Sequence, residues 1–160
     1  MKKLIILMAF MASLATVNGQ FSFSVPVGYS TRSTPIIGAN AQLQIGPVIF
    51  ASGFDSHMSR KVNDGDLFWG RMGIGVNLSE LNKLEITTGI GSYRKSADIK
   101  NLNEGVMLFN VQYVHQMESR PNGAIFAGIT TTPKFSFVSG GLRFTFKRQE
   151  RDGCPSTWVR

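Results

Sequence analysis

From Phe21 onward, apolar and polar residues alternate at every second position, the spacing of a strand with one apolar and one polar face. The first predicted strand sets Phe21, Phe23, Val25, Val27 and Tyr29 against Ser22, Ser24, Pro26, Gly28 and Ser30. The second sets Ile37, Ala39, Ala41, Leu43 and Ile45 against Gly38, Asn40, Gln42 and Gln44. A third holds Val48, Phe50 and Phe54 in phase, with Ser52 between them. The fourth opposes Phe68, Met72, Ile74, Val76 and Leu78 to Trp69, Arg71, Gly73, Gly75 and Asn77. The fifth opposes Leu84, Ile86, Thr88 and Ile90 to Glu85, Thr87, Gly89 and Gly91. In the sixth, Met107, Phe109, Val111 and Tyr113 oppose Leu108, Asn110 and Gln112. A seventh, from Ala124 to Thr130, has no decisive phase. The eighth sets Val138, Leu142, Phe144 and Phe146 against Ser139, Gly141, Arg143 and Thr145. Many of these segments approach the roughly 9–11 residues of a tilted membrane-spanning strand, longer than the 5–6 usual in soluble domains.

The connections are of two kinds, and they nearly alternate. Short turns fall at Gly46-Pro47, at Ser79 to Asn82 and at Glu118 to Asn122. Longer or more polar links span 30–36, Asp55 to Asp66, Arg94 to Asn103 and, more modestly, Thr131 to Lys134. Short turns on one side and longer loops on the other, with both termini on the turn side, are the order of an outer-membrane barrel. The expected fold is therefore all-β: an eight-stranded antiparallel up-and-down transmembrane β-barrel.

The first stretch has a different character. Lys2 and Lys3 precede an apolar run from Leu4 to Thr16, and Val17-Asn18-Gly19 offers small residues for cleavage before Gln20. This is the pattern of a secretory signal peptide, too short for a spanning helix. The domain reading is a signal peptide over 1–19, a barrel over 20–147 and a C-terminal periplasmic tail over 148–160. The single cysteine, Cys154, lies in that tail and makes an internal disulfide impossible. Mean hydropathy is near zero, as it is for a barrel whose lipid-facing and lumen-facing residues average out. The formal charge of +7 falls to +5 once Lys2 and Lys3 are removed. A basic exported protein of this kind suits anionic lipid headgroups. Nucleic acid is not an expected partner, because no Lys/Arg cluster is interleaved with aromatics.

The strand pattern, the loop order and the closing Gly-Leu-Arg-Phe-Thr-Phe of residues 141–146 resemble the small eight-stranded outer-membrane barrels of OmpA and OmpX type. The resemblance covers about residues 20–147. It implies residence in the outer membrane of a Gram-negative cell, contact with outer-membrane lipids, and recognition of the aromatic-ended last strand by the barrel-insertion machinery. The chain departs from that pattern in the residues that follow Phe146.

Charge placement carries the most chemistry. Arg71, Glu85 and Arg143 stand well inside strands, all on the phase opposite the apolar residues. A cationic side chain facing lipid at the midplane costs about 2–4 kcal/mol, so this phase is expected to face the lumen. An eight-stranded barrel is just wide enough for side chains to fill. The expected interior is a polar plug of Asn40, Gln42, Gln44, Arg71, Asn77, Glu85, Asn110, Gln112 and Arg143, with Glu85 paired to Arg143, to Arg71 or to both. The glycines on this phase are expected to make room for the long side chains. Pro26 removes a ladder donor inside the first strand and suggests a bulge.

Other chemistry is thinner. His57 is placed in an outer loop beside Asp55 and Ser56, where a His–Ser pair would suit a lipid hydrolase. Asp64-Gly65-Asp66 lacks the ligand count of a calcium loop and reads as a turn; no metal or cofactor is expected. His115 is expected at the interface. Tyr29, Phe54, Trp69, Tyr93, Tyr113, Phe126 and Phe146 sit towards strand ends, as interfacial girdles do. The expected role is structural or interactive rather than enzymatic, with envelope proteins meeting the loops or the tail. The alternative is a soluble, lipocalin-like exported barrel with the apolar phase inward around an apolar ligand. Against it, the polar phase is rich in Gly, Asn, Gln and Ser and poor in the Lys and Glu of a soluble surface.

Overall fold

The computed structural model describes residues 19–31, 34–58, 65–95, 103–120 and 122–147. Residues 1–18 of the predicted signal sequence, Asp64 and the tail with Cys154 lie outside them, while Gly19, placed at the end of that signal sequence, is the first residue of the first strand. Eight strands follow in chain order: β1 (Gly19–Ser30), β2 (Pro35–Ile45), β3 (Val48–His57), β4 (Gly65–Asn77), β5 (Asn82–Lys95), β6 (Asn103–Gln116), β7 (Gly123–Thr131) and β8 (Ser136–Lys147). Each pairs antiparallel with the next, and β1 closes on β8 from Gln20 opposite Lys147 to Ser30 opposite Phe137. Closure leaves no sheet edge, so every strand has a ladder partner on both sides.

The alternation read from the sequence sets the wall. Phe23, Phe50, Met72, Phe109, Ile129 and Phe144 are exposed on its outer face, while Ser24, Gln42, Glu85, Asn110, Ser139 and Arg143 are buried inside. The lipocalin-like alternative needs the reverse arrangement and is overturned by it. β7, which had no legible phase, turns Ile125, Ala127 and Ile129 outward and Ala124, Phe126 and Thr130 inward.

The strands run longer than their apolar positions suggested. β3 continues through Asp55 and His57, and β4 begins at Gly65. Asp55 and His57 point inward and are buried, and Ser56 stands opposite Asp66 in the ladder. Polar residues on the lumen phase do not interrupt a strand whose interior tolerates them. As a result two of the links on the loop side, 31–34 and 132–135, have only four residues each, no more than the 78–81 turn on the other. The asymmetry between the two ends rests on 58–64 and 96–102. We call the end bearing both chain termini and residues 46–47, 78–81 and 117–122 the terminal end, and the opposite one the loop end.

Gly46 takes φ +57° at the first position of its two-residue turn, with Pro47 next, the arrangement of a type II′ hairpin. Pro26 makes no bulge. Ser24 faces Asn40 and Val27 faces Ile37, so the register is unchanged across the gap. The β1–β2 ladder lapses for two residues, while on the other side Pro26 stays opposite Gly141.

Candidate functional site: the barrel interior

At the terminal end, Glu85 gathers polar side chains from three other positions on the wall. Arg143 grips it with two parallel bonds, Nη1 to Oε1 at 2.8 Å and Nη2 to Oε2 at 2.9 Å. Lys83 Nζ lies 2.7 Å from Oε1, and Gln42 Nε2 donates to the same oxygen at 3.1 Å. Lys83 also donates to Gln44 Oε1, and Gln44 Nε2 donates to the Gly46 carbonyl at 2.7 Å. Glu85 and Arg143 are buried, at 2% and 5% exposure, so this ion pair operates in a low dielectric, with both carboxylate oxygens of Glu85 bonded. Lys83 was not anticipated. Its position two residues before Glu85, on the same phase, was the available signal.

Above this cluster, Asn110 bridges strands. It accepts from Thr87 Oγ1 at 3.4 Å and donates to Thr130 Oγ1 at 3.0 Å and to the Ile129 carbonyl at 3.2 Å. Asn40, Asp55, Arg71, Asn110 and Gln112 surround a residual void of about 10 Å³ at mid-height, no larger than one water. Arg71 does not take Glu85 as its neighbour in the way Arg143 does: its guanidinium carbon lies 3.7 Å over the Trp69 ring. Asn77, grouped with the lumen set, instead ends β4 as an exposed residue at the rim of a terminal-end vestibule of about 200 Å³. Strand ends project past the interior, so the lumen phase no longer means burial there.

The loop-end half of the interior is mostly apolar. Ile36, Leu67, Trp69, Tyr93, Val106, Leu108, Phe135 and Phe137 form one buried cluster. Trp69, Tyr93 and Phe126, expected in the interfacial girdles, are thus interior residues, whereas Tyr29, Tyr113 and Phe146 do face outward. Trp69 Nε1 donates to Asp55 Oδ2 at 2.6 Å, which satisfies the one polar group of the indole. The signal for this half was present: Leu67 and Trp69 precede Arg71 on its own phase, and Val106 and Leu108 precede Asn110.

His57 belongs to this apolar half rather than to an outer loop. Its ring stands edge-on to Phe135 at 5.1 Å and Tyr93 at 6.1 Å, and Nδ1 lies 2.8 Å from the Gly65 carbonyl. Ser56, the next residue along the strand, points to the opposite face and donates to Asp66 Oδ1 at 2.7 Å. Successive strand residues alternate faces, so the wall keeps the His57–Ser56 pair apart. His115 sits near the terminal end, with Nδ1 2.8 Å from Asn82 Oδ1, the oxygen that also accepts from Tyr113 Oη at 2.6 Å.

An apolar outer wall, a polar and charged interior and complete closure are the attributes of a strand-built membrane span. Solved structures share the architecture. The N-terminal β-barrel domain of OprF from Pseudomonas aeruginosa aligns with a TM-score of 0.64 at 11% identity, over 81% of this chain and 98% of that one. The chain has the fold of the eight-stranded outer-membrane barrels. A de novo designed transmembrane β-barrel aligns with a TM-score of 0.59 at 16% identity, over 81% and 97% of the two chains. Neisserial surface protein A does so at 0.51 and 16% identity, over 80% and 96%. Such barrels therefore account for nearly the full length of these neighbours and for about four fifths of this chain. No protein-family model matches the chain, and no curated protein matches it by sequence.

Proposed function

We propose that the protein is a structural or interaction component of a Gram-negative outer membrane, exported by cleavage of residues 1–19. It is a rigid barrel closed to solutes, presenting its loop end to the exterior and its tail to the periplasm. The observation that carries this reading is the two-layered interior. A bidentate Arg143–Glu85 pair crosses the terminal-end half, and an aromatic and aliphatic cluster fills the other. A conduit needs a continuous aqueous path; here the mid-height void holds about 10 Å³. What such a barrel offers partners is its outer wall to lipid, its loops to envelope or external proteins, and Leu142, Phe144 and Phe146 of β8, all exposed on the outer face, to the insertion machinery.

The test combines cell fractionation, electrophoresis of unheated and boiled samples, and planar-bilayer conductance. Recovery in the outer membrane with a heat-shifted band and no steady conductance is expected. Recovery in the periplasm without a shift would remove the membrane reading, and steady ion conductance would remove the closed lumen while leaving the barrel.

A further inference from the structure

Charge is not balanced at the terminal end of the interior. Arg143 and Lys83 converge on a single carboxylate, Glu85. Oε1 of Glu85 already serves Arg143, Lys83 and Gln42, and Oε2 serves Arg143. One negative charge offsets one of two cations, and buried or half-buried cations without counter-charge are costly. Arg143 keeps its Nε–H without a bonding partner among the described residues, although it is only 5% exposed. Lys83 has a side chain 17% exposed and three N–H donors, two of them used by Glu85 and Gln44.

Both cations line the vestibule of about 200 Å³ that opens at the terminal end. Ser22 and Thr145 add hydroxyls to its wall, and Glu80, exposed at the rim, is the one carboxylate among the residues lining it. The space holds several waters, enough for an ion of a few heavy atoms with part of its hydration shell.

We propose that this vestibule is a binding site for a small oxyanion, a phosphate or a carboxylate, recognised by Lys83 and Arg143. The anion supplies the counter-charge that Glu85 cannot. The same chemistry has two sources. One is a free periplasmic solute. The other is the chain itself: Lys147 pairs with Gln20, a vestibule residue, and Glu150 and Asp152 follow three and five positions later.

The experiment titrates inorganic phosphate into the full chain, folded in detergent micelles, at constant ionic strength. It reads the Arg143 Nε–Hε nuclear magnetic resonance signal and the thermal midpoint of the heat-shifted band. A saturable response is expected in the parent protein. Lys83→Gln, which removes a charge-assisted bond, weakens it by about tenfold or more. Glu85→Gln tightens it by releasing both cations, an effect that general damage to the barrel would not produce. Lys134→Gln, at the loop end, leaves it unchanged. A response that appears only in the Glu150→Gln/Asp152→Asn variant identifies the tail carboxylates as the native occupant. Absence of a saturable response in both proteins, or a response indifferent to Lys83→Gln, overturns the proposal.

Discussion

Arg143 and Glu85, 58 residues apart in sequence, meet inside the barrel through two bonds of 2.8 and 2.9 Å. Lys83, a partner of Glu85 alone, makes the pair asymmetric. Glu85 retains Lys83 at 2.7 Å if Arg143 is lost, whereas Arg143 has no second carboxylate within bonding distance among the described residues. Truncating one member of a buried pair costs about 3–5 kcal/mol when the other charge is stranded. Glu85→Ala is therefore expected to fall in that range and Arg143→Met clearly below it. Urea titration of the folded, heat-shifted band checks the order; equal losses would show that Lys83 does not compensate.

The upper half of the interior has its own key contact. Trp69 donates to Asp55 at 2.6 Å inside an otherwise apolar cluster. Asp55→Ala leaves the indole N–H buried and unbonded, which costs about 1–3 kcal/mol. Asp55→Asn keeps an acceptor oxygen and should recover most of that loss. Unfolding midpoints of the two variants, followed by band shift, decide the matter: indistinguishable midpoints would mean that the hydrogen bond contributes nothing.

Two glycines on β4 are expected to respond oppositely. A Cβ at Gly73 would press on the backbone of Ile86 and Thr87, while a Cβ at Gly70 meets nothing within 4 Å. Gly73→Ala forces the β4 and β5 strands apart and is expected to cost about 1–3 kcal/mol. Gly70→Ala adds a methyl to the outer face and should stay within about 0.5 kcal/mol of the parent. The same urea titration reads both.

These contacts also show where the sequence was informative. Alternation over Phe21–Tyr29 or Phe68–Val76 is a direct image of the wall, because one side faces outward and the other inward at every step. It therefore yielded the strand number, the antiparallel order and the phase of Arg71, Glu85 and Arg143. Hydrophobicity alone could not say where a strand ends, since Asp55 and His57 are polar yet inside. Nor could it divide the lumen phase by height. Leu108 and Asn110 are two residues apart on one face, but one packs into the aromatic cluster and the other bridges Thr87 and Thr130. Which of several cations meets Glu85 depends on strand stagger around the closed barrel. Single-strand patterns carry no such information, so they neither single out Lys83 nor separate Arg143 from Arg71 as the partner of Glu85.

The outer wall supplies the sharpest test of the surrounding solvent. Phe109, halfway along β6, is 50% exposed, and Tyr113, nearer the terminal end, is 43% exposed on the same face. In hydrocarbon, an arginine at the midplane costs about 2–4 kcal/mol, falling to about 0–1 near the interface. Phe109→Arg should therefore destabilise the barrel in lipid vesicles by the larger amount and Tyr113→Arg by the smaller. In water neither outward arginine is penalised, and Phe109→Arg would relieve an exposed apolar patch. A depth-graded loss in vesicle refolding and urea titration supports a wall immersed in lipid. Equal tolerance of both arginines would mean that this apolar face meets something other than a bilayer.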